Sequence, residues 1–189
     1  LINKKASDGS VIDYKAMKDA GQSLSFTTGV NSEGVAQIVE LDIDGSKGEL
    51  IKVQSDVEIK LSESITVSGF VGFEQSKSDI YVGKDSSTTL IEDAELLLIE
   101  GGNLDAFIGV SGSGFELSDV SFTLTSFSKT SSGNTKNWVS AKATAGTVGL
   151  VGFGDALGIG AKSVDVALNF DASDGTVVDF AKTKADLDI

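Results

Sequence analysis

The side chains best suited to chemistry in this sequence are carboxylates, and several of them cluster. Asp42-Ile43-Asp44-Gly45, with Glu49 close behind, resembles part of a calcium loop, because acids at alternate positions offer hard oxygen ligands. The further ligands of a complete loop are missing, so a hairpin turn is the expected use of the stretch. Asp171 and Asp174 are a second candidate pair, since carboxylates at a boundary between domains can share a divalent ion and stiffen the chain. Calcium is the one cofactor these residues suggest, and nothing in the sequence requires it. Asp8 and Asp174 each precede a glycine, which predicts type I′ turns at both. Glu92 and Asp93 are adjacent acids, but neighbours on a strand point to opposite faces and cannot flank one substrate bond. Gly158-Ile159-Gly160-Ala161 lacks the spacing of a dinucleotide loop, and Gly109-Val110-Ser111-Gly112 breaks the nucleophile-elbow pattern. Trp138, the single tryptophan, suits either a core position or a sugar-stacking platform.

What the sequence lacks narrows the chemistry further. The 189 residues include no His, Cys, Pro or Arg, and all 15 basic residues are Lys. The commonest general base and the thiolate ligands are therefore missing, and an enzyme is not expected. A net charge of −13 repels phosphate backbones and anionic membrane surfaces, so neither nucleic acid nor a membrane is an expected partner. No apolar stretch reaches the ~20 residues of a spanning helix; the longest run is Leu96-Leu97-Leu98-Ile99. Aromatic residues are 7%, and the girdles of a transmembrane barrel are not apparent among them. The chain opens at Leu1 with no initiator Met and no signal peptide, as is expected of a fragment, a processed product or an engineered excerpt.

The elements that must position these residues are strands. Val57, Ile59 and Leu61 alternate with polar residues, as do Val120, Phe122 and Leu124, and a period of two marks a half-buried strand. Alternation and turn residues predict strands over 10–14, 23–28, 35–43, 49–61, 65–74, 79–82, 89–100, 104–111, 115–128, 137–145, 147–154, 156–170 and 176–180. Asp13–Ala20, with Gly21 as a stop, is the only helical candidate. Short connections imply antiparallel neighbours. The expected fold is all-β: an antiparallel sandwich or barrel-like meander of long strands, with a β-solenoid as the alternative.

Two kinds of repetition run through the chain. Ala6-Ser7-Asp8-Gly9-Ser10-Val11-Ile12-Asp13-Tyr14 matches Ala172-Ser173-Asp174-Gly175-Thr176-Val177-Val178-Asp179-Phe180 at an offset of 166, with Asn3 against Asn169 and Lys18 against Lys184. Every difference within the nine residues is conservative. Residues 1–19 and 167–185 thus read as equivalent ends of successive repeats of about 166 residues, and 1–189 as a single β-rich repeat domain. The junction residues on this reading are Asp8, Gly9, Val11 and Tyr14 at one end and Asp174, Gly175, Val177 and Phe180 at the other. A shorter echo joins Gly69–Phe73, Ala106–Val110 and Gly149–Phe153, which share a small-large-large-Gly-large pattern.

The closing nine residues, together with Val148–Gly152 and Trp138–Ala145, resemble repeat segments of very large bacterial tandem-repeat proteins of adhesin-like, surface-associated type. The resemblance covers the N-terminal tip and roughly residues 104–180. It implies an extracellular or cell-surface location and a role in adhesion or fibre formation, and it carries over no functional residues. The function expected is that of a spacer or assembly unit whose partners are neighbouring copies of the same repeat. The alternative is a module binding a host or matrix glycan or protein through Trp138, Tyr14 or Tyr81.

Overall fold

The computed structural model describes residues 1–61, 65–153 and 159–183. The chain divides into two compact units, Leu1–Ile51 and Lys52–Ile189.

In the first unit, β1 (Ile2–Asn3) pairs antiparallel with the start of β4 (Leu50–Leu61), placing Asn3 opposite Leu50. A hairpin of β2 (Leu24–Val30) and β3 (Ala36–Leu41) turns at Asn31–Val35. The helix α1 (Tyr14–Asp19) begins at the Asp13 cap, whose carboxylate accepts from the Ala16 amide at 2.8 Å. It ends in a Schellman arrangement: Gly21 at φ +74° donates to the Lys18 carbonyl and Gln22 to that of Met17. The expected strand over 10–14 is therefore absent. Asp13 commits this stretch to a helix start, because its side chain satisfies a backbone donor that a ladder would otherwise take. Asn3, Ile43 and Leu50 are the buried residues of the unit.

The second unit is an open antiparallel meander. Its order is β4, β5 (Ile65–Lys84), β6 (Ser87–Val110), β7 (Ser113–Ser131), β8 (Asn134–Val151) and β9 (Gly160–Phe170), and the short β10 (Val177–Val178) returns to pair with β5. The sheet has two edges and does not close into a barrel. Its consecutive hairpins also differ from a solenoid, which needs parallel stacking. Sequence reading splits three of the strands in two, at residues 75–78, 101–103 and 146. The strands instead run through as bulged ladders. Asp93 and Asp119 sit at positive φ, and the amide of each donates to an aspartate on the neighbouring strand, Asp79 or Asp105, at 2.8 and 3.2 Å. Each bulge inserts a residue and bends the strand without ending it.

The β6–β7 and β7–β8 connections are Ser111-Gly112 and Ser132-Gly133, with both residues at positive φ in each. That is the two-residue turn whose twist matches the strands. Glycine elsewhere serves close approach: Gly109 and Gly114 face each other across β6 and β7, and a Cβ on either would strike backbone. Residues 154–158, part of the expected 147–154 and 156–170 strands, lie outside the described residues.

The core lies on one face of this sheet. Leu96, Leu98, Phe127 and Trp138 alternate inward with Ile80, Val82 and Ala94, and Ala172 and Val178 from the closing segment cover them. Among the described residues of the second unit, Glu74 is the buried charge, held by Lys52 at 3.4 Å and by the Ser76 hydroxyl at 3.0 Å.

Candidate functional site

The two matched segments fold into the same hydrogen-bonded device. In the closing segment, the Ala172 amide donates to the Thr176 carbonyl and the Gly175 amide to the Ala172 carbonyl, at 2.8 and 2.9 Å. In the opening one, Ala6 donates to Ser10 and Gly9 to Ala6, at 2.7 and 2.9 Å. Asp174 accepts from the Thr176 amide and hydroxyl at 3.1 and 2.6 Å, and Asp8 accepts from those of Ser10 at 3.0 and 2.7 Å. Only the glycine of each turn has positive φ, +86° at Gly9 and +78° at Gly175. The expected type I′ turns are therefore replaced by a wider turn ending in a left-handed glycine. Asp stays in the ordinary region because its carboxylate is bonded two residues ahead.

The correspondence extends on both sides. Asn3 donates its side-chain amide to the Ile12 carbonyl at 2.8 Å, and Asn169 donates to that of Val178 at 2.9 Å. Asp13 caps the Ala16 amide at 2.8 Å while its carbonyl accepts from Met17 at 3.1 Å; Asp179 caps Lys182 at 3.2 Å and accepts from Thr183 at 2.8 Å. Every one of these bonds recurs at the offset of 166. Tyr14 and Phe180 hold the same place, the first residue after the cap. Residues 184 and 185 of the closing segment lie outside the described residues.

The surroundings of the two segments differ. Val178 is 2% exposed, paired with Val82 on β5, whereas its equivalent Ile12 is 52% exposed. Ala172 is buried and Ala6 is exposed. Val177 pairs with Gly83, and Val11 is half-buried outside any strand. Thr176 accepts from the Trp138 indole at 3.0 Å, and Asn169 accepts from the Ser140 hydroxyl at 2.8 Å. The Asp179 amide donates to the Tyr81 carbonyl at 2.8 Å, and the Tyr81 amide donates back to Thr183 at 3.0 Å. The opening segment thus leaves Ala6 and Ile12 exposed where the closing segment buries Ala172 and Val178.

The other candidates resolve differently. Asp44 caps the 3-10 turn Gly45–Lys47 through the Ser46 amide at 2.9 Å. The expected hairpin turn there is thus a capped connection into β4, and Asp42 is exposed beside it. Gly45 is needed because a Cβ would lie 2.6 Å from that of Asp13. Asp174 spends its second oxygen on Lys136 at 2.8 Å, and Asp171 is exposed. Among the described residues, no three acidic side chains converge in a metal-ligand arrangement. Trp138 is 1% exposed with its indole N–H occupied, so it is a core residue and not a sugar platform. Tyr14 and Tyr81 are half-buried. Among the described residues, no helix is long and apolar enough to cross a membrane.

Sequence comparison located the matched ends but not their caps and clamps. Asp13 was legible as the start of the one helical candidate, whereas Asp179 was read inside the expected strand 176–180. The roles of Asn3 and Asn169 depend on a turn that brings residue i+9 back, which no local signal announces.

The Lys136 ammonium beside Asp174, with the Thr176 hydroxyl and amide, holds that carboxyl far below the usual carboxylate range; Asp8 is lowered by the Ser10 hydroxyl and amide. Both folded values lie below the unfolded one of about 3.9. The contribution of each is therefore complete above that value and is lost as pH falls through the folded pKa. In a carboxyl-detected NMR titration, Lys136→Ala should raise the Asp174 midpoint and leave that of Asp8 in place.

No family model, no curated protein and no solved structure matches this chain.

Proposed function

We propose that this chain is a structural repeat of an extracellular bacterial surface fibre or adhesin, a spacer that joins copies end to end without a flexible linker. The observation that carries the reading is the shared hydrogen-bond device at residues 3–17 and 169–183. A segment with the same bonds at both ends of one period is what a chain of copies requires at each boundary. On this reading, residues 167–183 of one copy are residues 1–17 of the next. They close the preceding sheet through Ala172, Thr176 and Val178, and begin the following helix through Asp179. A repeat that donates a strand to its neighbour covers an edge that would otherwise invite uncontrolled pairing. The acidic surface keeps long arrays from clumping.

The reading is tested with two copies in one polypeptide, residues 1–166 followed by 1–189. Amide exchange at Ile12 and Asp13 of the second copy should slow to the rates of Val178 and Asp179 in the single chain. Exchange at those amides as fast as in the isolated opening segment overturns it. The parent protein should also be found by immunogold labelling outside the cell envelope, and a cytoplasmic location removes the surface role.

A further inference from the structure

The face of the second unit opposite the core is apolar across five strands. Register places Val71, Gly101, Phe122, Ala143 and Val166 in one row, Phe73, Ile99, Leu124, Ala141 and Leu168 in the next, and Gln75, Leu97, Ser126, Val139 and Phe170 in a third. No charged residue stands in any of the three rows, in a chain of net charge −13. The next row, Lys77, Glu95, Ser128 and Asn137, is wholly polar. The apolar rows are open: Phe73 is 36% exposed, Leu168 47% and Phe170 55%. A charge-free apolar centre beside a polar rim is the anatomy of an interface, and a patch of this extent is unusual on a free surface.

We propose that this face pairs with the same face of a second copy of the chain. Three features favour that occupant. The exposed parts of these side chains sum to roughly 700 Å² per copy, close to the ~800 Å² per side of a standard stable interface. A pleated apolar sheet is most fully covered by another, about 10 Å away with interleaved side chains. The charges of two copies also stay out of the contact, so an acid-rich chain pays no like-charge penalty there, whereas a strongly basic partner finds nothing on this face to recognise. A two-fold arrangement makes the contact self-complementary and closed. In an array it joins copies side by side, through residues separate from the end-to-end device, so it stands or falls independently of that reading.

The test is sedimentation velocity on the full chain from about 1 to 500 µM. A reversible monomer–dimer equilibrium is expected. Leu168→Lys and Phe170→Lys, both on an exposed edge strand, should each weaken dimerisation at least tenfold with an unchanged thermal melt, while Lys77→Ala in the polar row leaves it intact. A monomer at every concentration overturns the proposal. So does a dimer that survives both lysine substitutions, which would place the contact on the free edge of β9, and so does a monomer that partitions onto zwitterionic vesicles.

Discussion

Trp138→Ala should cost about 3–5 kcal/mol of stability, the range for emptying an aromatic-sized site in a packed core. The indole is the largest fully buried side chain among the described residues and lies in the row of Leu96 and Phe127. Its removal also strips a donor from Thr176, the residue that ties the closing segment to β8. The loss is a large share of the 5–15 kcal/mol that holds a typical domain together, so the second unit should unfold at much lower urea. Far-UV circular dichroism is the measurement, since the substitution removes the only tryptophan. Trp138→Phe separates the two contributions. It keeps most of the packing and should lose about 1–2 kcal/mol, the scale of one buried hydrogen bond. An Ala variant with an unchanged urea midpoint would show that the closing segment contributes nothing to the core.

The second large effect is an asymmetry between equivalent positions. Val178→Asp should cost at least about 3 kcal/mol, because it places an unpaired carboxylate at a site with 2% exposure. Ile12→Asp, at the matching position 166 residues earlier, should change stability by no more than about 0.5 kcal/mol, as exposed substitutions do. Both variants in urea melts of the single chain give the comparison. In the two-copy chain the asymmetry should vanish at the junction, where one residue fills both places. Equal costs for Val178→Asp and Ile12→Asp in the single chain would contradict the difference in burial that distinguishes the two ends.

The residues show why parts of this architecture can be read from sequence and parts cannot. Strand type follows from period-two alternation, as at Val120, Phe122 and Leu124. The turns at Ser111-Gly112 and Ser132-Gly133 follow from residues that accept positive φ. Strand length is harder, because residues 75–78, Gly101-Gly102-Asn103 and Gly146 read locally like breaks, and only the ladders to neighbouring strands carry the chain through them. The all-β meander was therefore expected, and its continuity through those three stretches was not. The choice between an open sheet and a barrel rests on whether β4 meets β9, a contact between strands distant in sequence that alternation does not encode. At the matched ends, the likeness of 6–14 to 172–180 was plain in the residues. The unequal burial of Ile12 and Val178 was not, since it depends on which sheet lies nearby.

The meander also fixes an order of events during folding. Every strand from β5 to β9 pairs with the one made just before it, and the β5–β6, β6–β7 and β7–β8 loops are two residues long and cost little chain entropy to close. Hairpins can zip from their tips as the polypeptide emerges in an extended form, with no strand waiting for a distant partner. Among the described residues of the second unit, β10 alone reaches back, from Val178 to Val82, across four intervening turns. That late latch closes over Trp138 last, so amides of β7 and β8 gain protection ahead of Asp179 in pulse-labelled refolding, and a nascent chain is held by its ladders before its core is sealed.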